Sequence, residues 1–174
     1  MENQTEQPGE VGQTSPQNTH PIFRNIQLGI GTWSWGDRVI WGYGKDYREQ
    51  DLLTAFDLLV GSGIRFFDTA EVYGLGRSET LLGNFARQAD TPLLIGTKFM
   101  PFPWRLSRRS LLRALRHSLK RMGLSKIGLY QIHFPLPPIA IETWMEAMSD
   151  AVQKSLISAV AVSNFDREQM QRAY

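Results

Sequence analysis

The sequence predicts an α/β protein built on a parallel sheet, and three observations carry that prediction. Five short apolar runs, residues 26–33, 63–67, 92–97, 127–132 and 156–162, alternate with longer stretches of helical periodicity. The runs are continuously apolar, as strands covered on both faces are, and strands separated by helices form βαβ units with a parallel sheet. Each of the last four runs ends on a polar, chemically capable residue. With 174 residues, 42% of them hydrophobic, the chain can bury one ordinary core. Repeats of about thirty residues fit both an open doubly wound sheet and a closed barrel, so periodicity leaves that choice open.

Taken in order, residues 1–20 hold glutamates, glutamines, Pro8 and Pro16 without an apolar core, and they read as a disordered polar tail. Residues 21–174 form the folded domain. In the first helical stretch, residues 48–62, Leu52, Ala55, Phe56 and Leu59 recur at helical spacing, with Gly61 and Gly63 as a stop. Residues 77–88 offer Leu81, Leu82 and Phe85. In residues 110–122 the stripe is Leu112, Leu115, Leu119 and Met122, and Gly123 follows as a C-terminal cap. Residues 141–154 place Trp144, Met145, Met148 and Val152 in the same way, and Asp166 with Gln169 marks the start of a last helix.

Composition removes several function classes. Cysteine is absent, which excludes disulfides, thiolate metal sites and a cysteine nucleophile. No apolar stretch reaches the roughly 20 residues of a membrane span. The first residues match neither a secretory signal nor an organelle transit peptide, so a cytoplasmic location is expected. Residues 105–126 carry eight lysines and arginines and no acid. The apolar stripe among them is regular, so a solvated outer helix explains the charge, and neither nucleic acid nor a membrane is expected as a partner. A metal-dependent barrel hydrolase would need clustered histidines and carboxylates; with three histidines, one of them His20, no metal site is expected.

The polar residues at the run ends are Asp68, Lys98, His133 and the pair Ser163 and Asn164. Singly each has an ordinary reading, as a helix cap, an edge charge, a satisfied polar group or a turn. Together they occupy the same position in four successive units. In a parallel sheet all carboxyl ends point one way, so these residues converge on one site.

The segments Phe67-Asp68-Thr69-Ala70-Glu71-Val72-Tyr73-Gly74, Gly96-Thr97-Lys98, Leu129-Tyr130-Gln131-Ile132-His133 and Val162-Ser163-Asn164 resemble the aldo-keto reductases, in order and spacing. So do Leu28-Gly29-Ile30-Gly31-Thr32-Trp33, as the family's first strand, and Ser118-Leu119-Lys120-Arg121-Met122-Gly123-Leu124. The resemblance runs from Ile22 to Tyr174. It implies a TIM-type (β/α)8 barrel, incomplete here at about five of eight βα units, with NADPH as cofactor and a small carbonyl compound as substrate. It implies Asp68, Tyr73, Lys98 and His133 as catalytic residues, and Thr32, Trp33, Asp68, Ser163 and Asn164 as cofactor-binding residues. Glu71 stands where the family more often has Asp, and Lys154-Ser155-Leu156 with Ala161 replaces glycine-containing forms. In the family, the later strands and the loops that grip the cofactor's phosphates follow the portion matched here.

Carbonyl reduction needs a hydride at carbon and a proton at oxygen. A phenol with a pKa of about 10 is a weak donor unless a neighbouring ammonium stabilises the phenolate, so Lys98 is expected to lower the pKa of Tyr73, held in place by Asp68. His133 would polarise the carbonyl. Neither Gly29-Ile30-Gly31 nor Gly74-Leu75-Gly76 has the setting of a dinucleotide fingerprint. Trp33, Trp35, Trp41 and Tyr43 either wall a substrate pocket or pack their own loop. The alternative function is a catalytically inactive, truncated half-barrel acting by association with another chain. On either reading the chain by itself is expected to show little reductase activity and to self-associate through exposed barrel edges.

Overall fold

In the computed structural model, residues 20–174 are described. The expected polar tail falls, apart from His20, outside the described residues. A short 3-10 turn, Pro21–Phe23, leads into β1 (Gly29–Gly31), α1 (Glu49–Gly61), β2 (Phe66–Asp68), a second 3-10 segment (Tyr73–Gly76), α2 (Arg77–Ala86), β3 (Leu94–Phe99), α3 (Arg108–Met122), β4 (Ile127–Ile132), α4 (Ile141–Gln153), β5 (Ile157–Val162) and α5 (Arg167–Ala173). The strands form one sheet in the order β1-β2-β3-β4-β5, and every neighbouring pair is parallel. This is an arc of a βα barrel, with β1 and β5 as its edges.

The alternation of side chains along each strand sorts the residues by chemistry. Phe67, Ile95, Phe99, Tyr130 and Ile132 point into the core shared with α1 to α4, where Phe56, Phe85, Leu111, Leu115 and Trp144 are also buried. Asp68, Lys98, Leu129 and Gln131 line the opposite, concave face, an open trough of about 450 Å³. The core therefore lies under the helices, and the polar strand residues are left to the inside of the arc.

Helix ends follow the expected chemistry. Gly123 caps α3 at φ +65°, and Asp166 and Gln169 form a reciprocal capping box at α5. Ser155, in the turn before β5, sits at φ +56°, so this turn has a left-handed residue that is not glycine. Several stripes differ from the expectation in detail. Leu112 is half-buried, and Leu111, Ala114 and Ser118 join Leu115, Leu119 and Met122 on the inner face of α3. Val152 and Ala55 are exposed, and Ala147 and Ala151 are buried in α4. The first strand shrinks from eight expected residues to three, since Leu28 is exposed before it and a buried turn begins at Thr32.

At Gly83, α2 meets the end of α3 backbone to backbone. A Cβ placed on Gly83 would lie 2.3 Å from the carbonyl oxygen of Met122 and 2.4 Å from its Cα. Backbone cannot step aside as a side chain can. Gly83→Ala is therefore expected to destabilise the fold by about 1–3 kcal/mol despite the better helix propensity of alanine, read as a lower urea midpoint.

Candidate active site

Each candidate residue is placed by the end of a strand. Asp68 closes β2 and Lys98 is the penultimate residue of β3. His133 follows β4, anchored by its N–H to the Phe99 carbonyl at 2.9 Å. Ser163 follows β5, its N–H bonded to the Ile132 carbonyl at 2.9 Å. Tyr73 opens the 3-10 segment after β2, in a loop held by the Tyr73 N–H to the Ala70 carbonyl at 3.1 Å.

The polar groups meet at one mouth. The Lys98 ammonium is ion-paired with Asp68 Oδ2 and donates to the Thr69 carbonyl at 2.9 Å. Its Nζ lies 5.1 Å from the centre of the Tyr73 ring. The imidazole of His133 meets the Tyr73 ring edge to face at 5.7 Å and stacks on Phe134 at 4.8 Å. Trp33 lies 6.4 Å from Tyr73 and packs on Trp41 at 5.5 Å, and both tryptophans are partly exposed. Trp35 does otherwise: it is buried against Phe56, Phe67 and Phe85 and belongs to the core. The loop that carries these tryptophans is pinned, with the Asp37 carboxylate accepting the N–H groups of Val39 and Ile40 and Arg77 donating to the Gly36 carbonyl at 2.6 Å.

Thr32 is fully buried. Its hydroxyl is 2.8 Å from that of Ser78, which also bonds the Thr32 carbonyl and the hydroxyl of Thr69. This knot joins β1, the loop after β2 and α2. Asn164, at φ +59°, donates to the His133 carbonyl at 2.9 Å and to Ser163 Oγ at 3.0 Å. Its amide oxygen has no partner among the described residues.

Protonation follows from burial. The phenol of Tyr73 is raised above its ordinary value, first by burial and then by the Asp68 charge. This differs from the sequence expectation of a lowered phenol: burial and the Asp68 charge raise it, while the Lys98 ammonium is already paired with Asp68. His133 is lowered to about 4, chiefly by burial and by the Lys98 charge, so its imidazole is neutral at pH 7. Its Nδ1 is buried without a partner. We assign the proton to Nε2, which leaves at Nδ1 an unpaired acceptor rather than an orphaned N–H.

The His133 shift has a consequence for stability. Unfolded histidine titrates near 6.5 and the folded one near 4, so between these values the unfolded chain binds the extra proton. Its contribution is complete above about pH 6.5 and is lost as pH falls to about 4. Urea unfolding across that window should show a wild-type loss that His133→Gln reduces; parallel curves would place the titrating group elsewhere.

Three groups around the mouth were not singled out by sequence. Glu71 accepts from both terminal guanidinium nitrogens of Arg105 and from the Met100 N–H at 2.7 Å, which ties the loop after β2 to the loop after β3. Glu79, fully buried, accepts Thr97 Oγ1 at 2.6 Å and pairs with Arg121, joining α2, β3 and α3. Gln131 donates its side-chain amide to Asp68 Oδ1 at 2.6 Å. Thus three cations of the basic run, Arg105, Arg108 and Arg121, are partnered by acids from outside it, Arg108 by Glu146 at 3.0 Å and Asp150 at 2.7 Å.

The family model described as the Aldo/keto reductase family matches residues 27–174. The chain belongs to the aldo/keto reductase family. Pyridoxal reductase, chloroplastic, of Arabidopsis thaliana is 35% identical to this aldo/keto reductase over 159 residues, 82% of this chain and 42% of that protein. A thermostable aldo-keto reductase solved with the inhibitor epalrestat is 34% identical with a TM-score of 0.74, covering 83% of this chain and 52% of the other. An aldo/keto reductase from Klebsiella pneumoniae, in complex with NADP and acetate, is 28% identical with a TM-score of 0.71, covering 83% and 47%. The chain spans about half the length of the relatives it matches. Its partial barrel is accordingly that of an oxidoreductase family.

Proposed function

We propose that this protein reduces the carbonyl group of an aldehyde or ketone to an alcohol, with the hydride drawn from NADPH and the proton from Tyr73. The observation that carries the reading is the convergence of Asp68, Tyr73, Lys98 and His133 at one mouth of the arc, beside an open trough. The cofactors named for the Klebsiella pneumoniae neighbour support NADPH. The Arabidopsis thaliana relative supports an aldehyde carried on an aromatic ring, which the tryptophans beside Tyr73 suit.

The donor set fits a nicotinamide. A carboxamide presents one acceptor and one donor, and Ser163 with the free amide oxygen of Asn164 offers the complement. Trp33 adds a flat aromatic wall beside Tyr73. Thr32, with its hydroxyl committed to Ser78, would act by holding that wall. When bound, the cofactor supplies the hydride, which no side chain can provide.

The chain's own groups do the rest. Neutral His133 donates from Nε2 to the carbonyl oxygen and stabilises charge developing there. Tyr73, protonated at neutral pH as a phenol is, hands its proton to that oxygen. Lys98 has spent two of its three N–H groups on Asp68 and Thr69. The third is available for the phenolate that forms. Asp68 keeps the ammonium in place.

A second reading follows from the two edges, β1 and β5, which have one neighbouring strand each in the described sheet. On that reading the site works only when another chain covers them. Initial rates of NADPH consumption with an aromatic aldehyde, measured across protein concentrations, test both. A constant specific rate supports the first, a rate rising with concentration supports the second, and no consumption either by this chain or by a version extended to the length of its relatives rejects carbonyl reduction.

A further inference from the structure

We propose that Gln131 is a positioning residue that limits Asp68 to one contact with Lys98, and so leaves an ammonium hydrogen free for Tyr73. The proposal rests on the carbonyl-reductase reading of this site.

A carboxylate facing an ammonium can accept one hydrogen or two. Asp68 has Oδ2 on Lys98, while Oδ1 accepts the Gln131 amide at 2.6 Å. Gln131 lies opposite Lys98 in the β3–β4 ladder and reaches past it to β2. It therefore binds the oxygen that would otherwise turn toward Lys98. The Asp68 side chain is 27% exposed, so packing alone does not hold its orientation, whereas that of Lys98 is 7% exposed and confined. With Oδ1 occupied, the Lys98 hydrogens go to Oδ2, to the Thr69 carbonyl and, third, toward the phenol above which the ammonium lies. If Oδ1 is released, it competes for that third hydrogen with a full negative charge, which a neutral hydroxyl cannot match.

A polar residue inside a continuously apolar strand is otherwise a cost. Leu129, two residues earlier on the same face, shows that the trough accepts an apolar side chain.

Two substitutions separate positioning from support of the fold. Gln131→Met keeps the volume and removes the donor. Gln131→Glu restores a donor of nearly the same shape when its carboxyl is protonated, and repels Asp68 when ionised. The charged or titrating groups facing that position are Asp68 from β2 and Lys98 from β3, with Tyr73 and His133 at the mouth beyond. Gln131→Met is expected to lower kcat roughly tenfold to a hundredfold, with KM for NADPH within about twofold of wild type. Gln131→Glu is expected to regain turnover as pH falls, a limb absent from both wild type and Gln131→Met. A crystal structure of Gln131→Met should show both Asp68 oxygens on Lys98. Normal kcat in Gln131→Met, a Gln131→Glu profile parallel to wild type, or an unchanged single contact in the crystal would each overturn the proposal. Should wild type itself reduce no carbonyl, the functional reading fails, and the crystal structure still decides whether Gln131 governs the Asp68–Lys98 contact.

Discussion

Tyr73→Phe will lower turnover of a good aromatic aldehyde by about 10²–10⁴-fold while leaving NADPH affinity nearly unchanged. Only the phenolic oxygen is removed. The ring, which packs against Trp33 and His133 and lies under the Lys98 ammonium, is retained, so the mouth keeps its shape. Lys98→Met should lower turnover in the same direction by a different route, since the proton then leaves an oxygen with no cation beside it. Steady-state kinetics on both variants, with NADPH binding followed by fluorescence, make the comparison. Near-normal turnover in Tyr73→Phe would assign proton donation to another group.

The largest stability loss from a single polar side chain is expected at Glu79→Ala, about 2–4 kcal/mol. Removing one partner of a buried ion pair typically costs 3–5 kcal/mol, because the other charge is left uncompensated. Here Arg121 is 29% exposed and can recover part of that by hydration, which sets the lower end of the range. Thr97 also loses the acceptor of its 2.6 Å bond in the middle of β3. Glu79→Gln, which keeps an acceptor for Thr97, should cost less. A lower urea midpoint at unchanged slope is the expected signature, and a loss under about 0.5 kcal/mol would show that the pair contributes no more than a surface bridge.

What sequence made legible, and what it did not, follows from the range of the interactions involved. Asp68, Lys98 and His133 stand out because each ends an apolar run, and a parallel sheet gathers such ends without further information. The fourth and fifth strands and the α3 cap were legible for the same local reasons. Trp33, Trp35 and Trp41 share one loop and one residue type, yet Trp35 is in the core and the others are at the mouth. Only the positions of Phe56, Phe67 and Phe85, all from later in the chain, decide that. Glu71 and Glu79 were unremarkable in sequence because their partners, Arg105 and Arg121, lie 34 and 42 residues away. Gln131 carried a usable signal, a polar residue two positions before His133 in an otherwise apolar strand, although its partner Asp68 is 63 residues away. The lowered phenol expected from the Lys98 neighbourhood is not found because spacing does not reveal how deeply the phenol is buried or that Asp68 acts on it, and these two causes raise it.

The central claim is that this mouth performs direct hydride transfer to a carbonyl carbon, with the proton arriving separately at oxygen. Its most direct test is to supply NADPH carrying deuterium on the transferring face of nicotinamide C4, together with an aromatic aldehyde, and to analyse the alcohol by mass spectrometry and NMR. The account predicts one deuterium at the carbinol carbon, an exchangeable solvent hydrogen at oxygen, and loss of product formation in Tyr73→Phe. Cofactor consumption with no deuterium at that carbon, or labelled alcohol formed equally well by Tyr73→Phe, would contradict it.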